Sequence, residues 1–272
     1  MSERSNSINH ISFIMDGNRR WAKKSSTTNL EAYKKGVENL MEKVNFCIDK
    51  KIPYCSFFAL SQDNLKRSED EIESLFVAIK MIYEVNRSKI IKNSDKFQLR
   101  IIGNLDLLPS SMKKFLKEME SEINLKEKPP GFTTVIICVA YASREEITDG
   151  FKNAMLNIVE ECKTELSTHN MLGLSVFDDD LDADQKFDEL LKEKLNSINS
   201  SNISNHFYTP DCPDPDILIR TGGETRLSNF MLWQCRYTEI VFFKEAFWPE
   251  FSNEQLEIIL DNYKKTVKNF GK

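Results

Sequence analysis

Histidine is scarce in this sequence: among 272 residues there are three, His10, His169 and His206. That scarcity argues against a histidine-rich zinc centre. Six cysteines are scattered at Cys47, Cys55, Cys138, Cys162, Cys212 and Cys235. They form neither a C-x-x-C pair nor a metal-ligand spacing. With no secretory leader visible, reduced thiols in the cytosol are the expectation. No apolar run reaches the roughly 18 residues of a membrane span. A basic excess is missing too: 37 Lys and Arg against 42 Asp and Glu leave a net charge of -5, so nothing general attracts a nucleic-acid backbone and no nucleic-acid partner is expected. Any anion must be held by local arginine clusters. What is present, 40% hydrophobic and 29% charged residues, is the balance of a globular chain. Its length suits one large α/β domain or two small ones.

Apolar segments of two periods alternate along the chain. Short runs at His10 to Met15, "YCSFFAL" (Tyr54 to Leu60), "LRIIG" (Leu99 to Gly103), "TTVIICVAY" (Thr133 to Tyr141), "DILIRT" and "EIVFF" read as six strands. The run from Thr133 is the richest in β-branched residues, so it is expected at the centre. Between them lie helical periods. One follows Leu30 through Tyr33, Val37, Leu40, Met41, Val44, Cys47 and Ile48. Ser68 with Glu71, Ser143 with Glu146 and Ser252 with Gln255 have capping-box spacing, and Pro109 with Ser110 opens another helix. Strands separated by helices predict parallel pairing and right-handed crossovers. The fold class is α/β: a single domain over 1–272, with a six-stranded, mainly parallel sheet flanked by helices. Ligands of such sheets bind beyond the carboxyl ends of the strands, where Asp16, Ser61, Tyr141 and Arg220 fall.

Residues 164–205 break this rhythm. They contain "FDDDLDADQKFDELL" and "NSINSSNISN" and read as a mobile acidic and polar insertion with a short helix near Phe187 to Leu195. Asp178, Asp179 and Asp182 spell D-D-x-x-D, and Asp178, Asp180, Asp182 and Glu189 match positions of a calcium loop. The sixth loop position is Ala183, where a sharp turn needs glycine. A solvated acidic loop is the better reading.

Chemistry concentrates in three places. In "MDGNRRW" a strand ends in Asp16, Gly17 and Asn18. The glycine permits a sharp turn, and a helix starting there would aim free N–H groups at an anion. Arg19 and Arg20 add charge-assisted donors suited to phosphate. Asp16 would repel that phosphate unless a divalent cation lay between them, and magnesium commonly takes one or two carboxylates plus phosphate oxygens. In "ILIRTGGETRLSNFMLWQ" Arg220 ends a strand, Gly222 and Gly223 form a loop, and Arg226 and Ser228 complete a second anion cradle. Neither G-x-x-x-x-G-K-[ST] nor G-x-G-x-x-G is present, which disfavours nucleotides. In "LSQDNLKRSEDE" Ser61, Asp63, Asn64 and Arg67 follow the second strand. Each stretch is, read alone, also an ordinary polar turn, and Glu239 alone is a plain strand-edge acid. Ile72, Leu75, Phe76, Ile79 and Ile82, widened by Val77, Ala78 and Met81, form a helical stripe that suits a core or a hydrocarbon channel.

Taken together, "HISFIMDGNRRWAK", "FALSQDNLKRSEDEI", "AYASREEI", "PDILIRTGGETRLSNFMLWQ" and "FWPEF" resemble the signature segments of the cis-prenyltransferases, in that family's order from His10 to Phe251. The family includes undecaprenyl and dehydrodolichyl diphosphate synthases, and "AYASREEI" and "RRWAK" resemble its dolichol-type branch. The resemblance implies a hydrophobic tunnel, a homodimer and Mg2+ dependence. It also implies repeated condensation of isopentenyl diphosphate onto an allylic diphosphate, usually farnesyl diphosphate. By motif position it implies Asp16 and Asn64 as catalytic residues, Asp16 and Glu239 as metal carboxylates, and Gly17, Asn18, Arg19, Arg20 and Trp21 around the allylic diphosphate. Ser61, Gln62, Asp63 and Arg67 would lie beside Asn64, and Arg220, Arg226, Leu227 and Ser228 would cradle isopentenyl diphosphate. The sequence departs from the family at Asn29 (an arginine there), Tyr33 (a histidine), Leu65 (an aromatic) and Asn269-Phe270-Gly271, where R-x-G reaches across to a neighbouring subunit; Lys268 is a possible substitute for that arginine. The last departure suggests an alternative, a subunit of a heteromeric enzyme that needs a partner. A greasy product predicts a cytoplasmic protein in peripheral contact with a membrane, at the endoplasmic reticulum surface.

Overall fold

The computed structural model describes residues 7–172 and 182–266. Six strands form one sheet: β1 (His10–Ile14), β2 (Tyr54–Ser61), β3 (Phe97–Ile102), β4 (Thr133–Tyr141), β5 (Ile217–Arg220) and β6 (Glu239–Phe242). Their order is β3-β4-β2-β1-β5-β6, and every pairing is parallel. The expected "mainly parallel" sheet is thus parallel throughout. β1 rather than β4 has the most shielded position. All five of its residues are buried, as a near-continuous apolar strand between two neighbours should be. The helices are α1 (Asn18–Lys24), α2 (Asn29–Asp49), α3 (Glu69–Lys92), α4 (Ser110–Ile123), α5 (Ser143–Leu172), α6 (Ala183–Asn196), α7 (Ser200–Ser204) and α8 (Asn253–Lys265). No helix among the described residues is long and apolar enough to cross a membrane.

The chain divides into two compact units, Met1–Ser143 with Pro213–Lys272, and Arg144–Cys212. The first holds the sheet. On one face Phe13 stacks on Phe57 at 5.0 Å between ring centroids, and Trp248 closes over both at 5.8 and 6.4 Å. Large apolar side chains so fully buried each contribute about 1.5–3 kcal/mol. Beneath Trp248 lies a buried polar relay. Its indole N–H donates to Gly36 O at 2.8 Å, its carbonyl accepts from Asn39 Nδ2 at 2.6 Å, and Lys43 Nζ donates to Asn39 Oδ1 at 2.8 Å. These three partners recur at helical spacing on α2.

In the second unit residues 164–205 are largely helical among the described residues, and the short helix expected near Phe187 to Leu195 lies within α6. α5 continues to Leu172, and Asp182 caps α6 in a reciprocal box with Gln185. Lys194 on α6 pairs with Glu165 at 2.9 Å and Glu161 at 3.6 Å on α5. Asp182, one of the supposed cation ligands, is therefore a helix cap; Asp178, Asp179 and Asp180 lie outside the described residues, as do Lys268 and Asn269-Phe270-Gly271. The box at Ser252 and Gln255 forms. The one at Ser68 does not: Ser68 makes no side-chain cap, and the Glu71 carboxylate pairs with Arg67 and Arg19 instead.

Candidate active site

β1 and β5 are neighbours, yet the chain leaves β1 toward β2 on one side and leaves β5 toward β6 on the other. That divergence opens a crevice at the carboxyl ends of the two strands, the switch point where open α/β sheets place their ligands. The sequence fills it with charge. Asp16 follows β1 and Arg220 ends β5. Asp16 Oδ2 accepts from Arg220 Nη2 at 2.8 Å, and Oδ1 meets Arg20 Nη2 at 3.0 Å. Burial raises the Asp16 carboxyl, but the hydrogen bond and charge of Arg220, then those of Arg20, prevail and hold it below the ordinary carboxylate range. These two arginines therefore favour the charged carboxylate of Asp16.

Backbone geometry keeps these groups close. Gly17 sits at φ 107° as the N-cap of α1, and a Cβ there would stand 2.6 Å from Phe247 Cδ1. Gly222 sits at φ 84°, and its Cβ would approach Arg20 Nη2 at 2.9 Å and Asp16 O at 3.0 Å. Only glycine meets both conditions. Thr221 Oγ1 donates to Asp16 O at 2.8 Å, and Trp248 N donates to the same oxygen at 3.0 Å.

Arg220 organises the second cradle. Its side chain is 5% exposed; Nη1 donates to Arg226 O and, at 2.7 Å, to Ser228 Oγ. Its Nε is buried without a hydrogen-bond partner among the described residues. Ser228 and Asn229 take φ 52° and 63°, and Met231 45°, a run of left-handed non-glycine residues of the kind that collects at functional loops. Glu224, to which no role was assigned from sequence, stands between the cradles. It meets Arg20 Nη1 at 3.4 Å and pairs with Arg226 Nη1.

On the other flank Asn64 occupies a single 3-10 turn after β2, its N–H on Ser61 Oγ at 3.0 Å. Glu71 gathers Arg67 at 2.8 Å, the Tyr33 hydroxyl at 3.0 Å and Arg19 at 3.4 Å. Burial first, then the Glu71 charge, pushes the Tyr33 phenol up to about 12. From sequence Tyr33 was a member of the α2 apolar period and a departure from a motif; in the structure its hydroxyl donates to Glu71, which also pairs with Arg67 and Arg19.

A cavity of about 1030 Å3 opens at this cluster and runs along one face of the sheet. Asp16, Gly17, Asn18, Arg19, Arg20, Ser61, Asn64, Arg67, Arg220, Arg226 and Ser228 line its charged end. Leu75, Ile79 and Ile82 of α3, Leu116 and Met119 of α4, and Val135, Ile137 and Val139 of β4 line the apolar remainder. Of the expected α3 stripe, Ile72 and Phe76 do not reach the cavity. Trp21, Gln62, Asp63 and Leu227 also stand away from it. Asp63 forms an exposed pair with Lys66, and Gln62 N donates to Tyr141 O.

Glu239 is the clearest departure from the expected site. It opens β6 opposite Ile217, whereas Arg220 aligns with Phe242. Asp16 lies beyond the far end of β1, so the two acids are separated by roughly 15 Å along the strand direction alone. Within one chain they cannot share a metal ion. Among the described residues no group of three or more His, Cys, Asp or Glu side chains could hold one either. Asp16 by itself, ionised and facing the cavity, fits the magnesium mode in which one carboxylate is joined by substrate phosphate oxygens.

Comparison with known proteins agrees with this geometry. Residues 14–271 match the family model described as "Putative undecaprenyl diphosphate synthase". The chain is 32% identical over 265 residues to an isoprenyl transferase of Rickettsia bellii, covering 97% of this chain and 98% of that one. Its structure resembles lavandulyl diphosphate synthase from Lavandula x intermedia, solved in complex with dimethylallyl diphosphate, with TM-score 0.72 and 26% identity over 97% and 98% of the two chains. It also resembles a probable undecaprenyl diphosphate synthase from Campylobacter jejuni, with TM-score 0.68 and 25% identity over 98% and 100%.

Proposed function

Since this chain belongs to the undecaprenyl diphosphate synthase family, and is therefore an isoprenyl transferase of the cis-elongating kind, we propose that it adds isopentenyl diphosphate repeatedly to an allylic diphosphate, farnesyl diphosphate in the first instance. The product is a long-chain polyprenyl diphosphate of the type that becomes a lipid carrier. The observation that carries this reading is the junction of two arginine groups on one carboxylate at the mouth of an apolar cavity. The dimethylallyl diphosphate held by the lavandulyl synthase supports an allylic diphosphate as the ligand of the first group.

Arg19 and Arg20 hold the allylic diphosphate, and Arg220, Arg226 and Ser228 hold isopentenyl diphosphate. The allylic C–O bond breaks and the diphosphate leaves with the bonding pair, its growing charge met by fixed guanidinium groups. The isopentenyl double bond supplies the electrons of the new C–C bond, and a proton then leaves the adjacent carbon with Asn64 positioned to assist. Asp16 would hold a magnesium ion, which when bound would supply Lewis-acid stabilisation of the diphosphate oxygens. The hydrocarbon grows into the cavity, which we read as the product tunnel, and the two compact units are read as one catalytic domain. We place the working enzyme as a homodimer against a membrane surface, where so apolar a product can leave.

The test is incorporation of labelled isopentenyl diphosphate by the purified chain with farnesyl diphosphate and magnesium, with product length read by mass spectrometry. Long cis products lost on chelation and restored by magnesium are expected. Absence of incorporation by the chain alone and with any family partner rejects the reading. Turnover only after a second subunit is added makes the chain half of a heteromeric enzyme, the alternative raised by Asn269 where the family has arginine.

A further inference from the structure

The segment Ala246 to Trp248 touches both diphosphate cradles through its backbone. Ala246 O accepts from Gly222 N at 2.9 Å, and Trp248 N donates to Asp16 O at 3.0 Å. Between these two bonds stands Phe247. Its ring packs against Gly17, close enough that a Cβ on the glycine would overlap it. The Arg20 guanidinium carbon lies 5.6 Å from its centroid. The edges of that guanidinium meet Asp16 at 3.0 Å and Glu224 at 3.4 Å. Three contacts therefore locate one half-exposed arginine, and the aromatic face is the only one of the three that is not a carboxylate.

The distinction has a consequence. An incoming diphosphate competes with Asp16 and Glu224 for the same N–H groups, but it does not compete for the ring face, because cation–π attraction uses the guanidinium plane and leaves its edge donors free. We propose that Phe247 is a positioning residue: it holds the Arg20 guanidinium plane toward the cavity while the edge contacts are exchanged for phosphate oxygens. This rests on the reading of Arg20 as a ligand of the allylic diphosphate. Lys24 Nζ lies 5.9 Å from the same centroid, so it shares the ring and must be separated from Arg20 in any test.

The experiment replaces Phe247 in the full-length enzyme with mono-, di- and trifluorophenylalanine, which weaken the negative face of the ring stepwise at nearly constant shape. The measured quantity is kcat/KM for farnesyl diphosphate at saturating isopentenyl diphosphate, with thermal unfolding as a check on folding. A stepwise fall totalling about 2- to 5-fold is expected for loss of an exposed cation–π contact, with KM for isopentenyl diphosphate unchanged. The same slope should persist in a Lys24→Met background. Phe247→Tyr should keep activity, and Phe247→Leu should lose as much as the trifluoro variant. A flat fluorine series overturns the proposal, whether or not Phe247→Leu is impaired, since that leaves only packing; so does a slope that vanishes with Lys24→Met. Arg20→Ala separates the two levels. If it leaves KM for farnesyl diphosphate unchanged, the assignment of the allylic site fails; if it raises that KM while the fluorine series is flat, only the role of Phe247 fails.

Discussion

Lys43 provides the sharpest test of the packing beneath the site. It is fully buried. Its ammonium donates to Asn39 Oδ1 at 2.8 Å and lies 5.5 Å from the Phe251 ring centroid. Burial lowers its pKa from 10.5 to about 8, against the opposing charges of Glu42 and Glu254. Below about pH 8 the lysine is protonated in both folded and unfolded states. Carrying that charge inside costs about 3 kcal/mol. Between about 8 and 10.5 the folded state sheds the proton while the unfolded state keeps it, so this group makes stability rise with pH. Lys43→Met removes the cost but leaves Asn39 Oδ1 without its donor, a loss of about 1–2 kcal/mol. At pH 7 the variant should therefore be more stable by about 1 kcal/mol, which raises the midpoint by about 2–4 °C. At pH 10 most of the wild-type cost has gone and the order should reverse. Urea unfolding of both proteins from pH 7 to pH 10 measures the difference directly. A difference that stays constant across that range refutes the assignment of a buried, titrating amine.

Three further outcomes follow from the site. Gly17→Ala forces a Cβ into the Phe247 ring at positive φ, so we expect a loss of at least about 2 kcal/mol of stability, seen as a lowered urea midpoint, with activity falling in parallel. Arg220→Met leaves Asp16 without its principal partner and the Ser228 hydroxyl without a donor. Loss of one such preorganised cation should cut kcat by about 100-fold or more, and the Asp16 carboxyl should titrate nearer its ordinary range by NMR. Ile137→Trp inserts bulk into the apolar lining midway along β4; mass spectrometry should show shorter products with kcat for the first condensation nearly unchanged.

Much of the architecture was legible because strand signals are local. The expected boundaries of β4 coincide with those observed, and Ser252 with Gln255 caps α8 as its spacing implied. β3 starts earlier than its apolar run suggested, at Phe97, because on this edge strand Gln98 and Arg100 alternate with buried Leu99 and Ile101. In residues 164–205 composition showed only a short helix near Phe187 to Leu195, which lies within α6, yet their short polar side chains cap helices: Asp182 with Gln185 and Asn199 with Asn202 form reciprocal boxes. Glu71 had the spacing of a capping residue, but two arginines and a tyrosine outcompete one backbone N–H for its oxygens. Asp16, Arg20, Arg220 and Ser228, drawn from motifs far apart in sequence, contact one another in one cluster. Motif order could not show how far Glu239 lies from Asp16, since that depends on register across three strands. Nor could it find Glu224 or Phe247, whose contacts to Arg20 join residues more than 200 positions apart.

The guanidinium of Arg220 is shared among Asp16, Ser228 and the Arg226 carbonyl. Energies hung on one such hub are not independent entries that can be summed. Once Arg220 is disturbed, replacing Asp16 or Ser228 as well should add little, and a double-mutant cycle across these positions should return a large interaction energy where distant surface pairs return none. Single substitutions will accordingly overstate what each of these side chains does by itself.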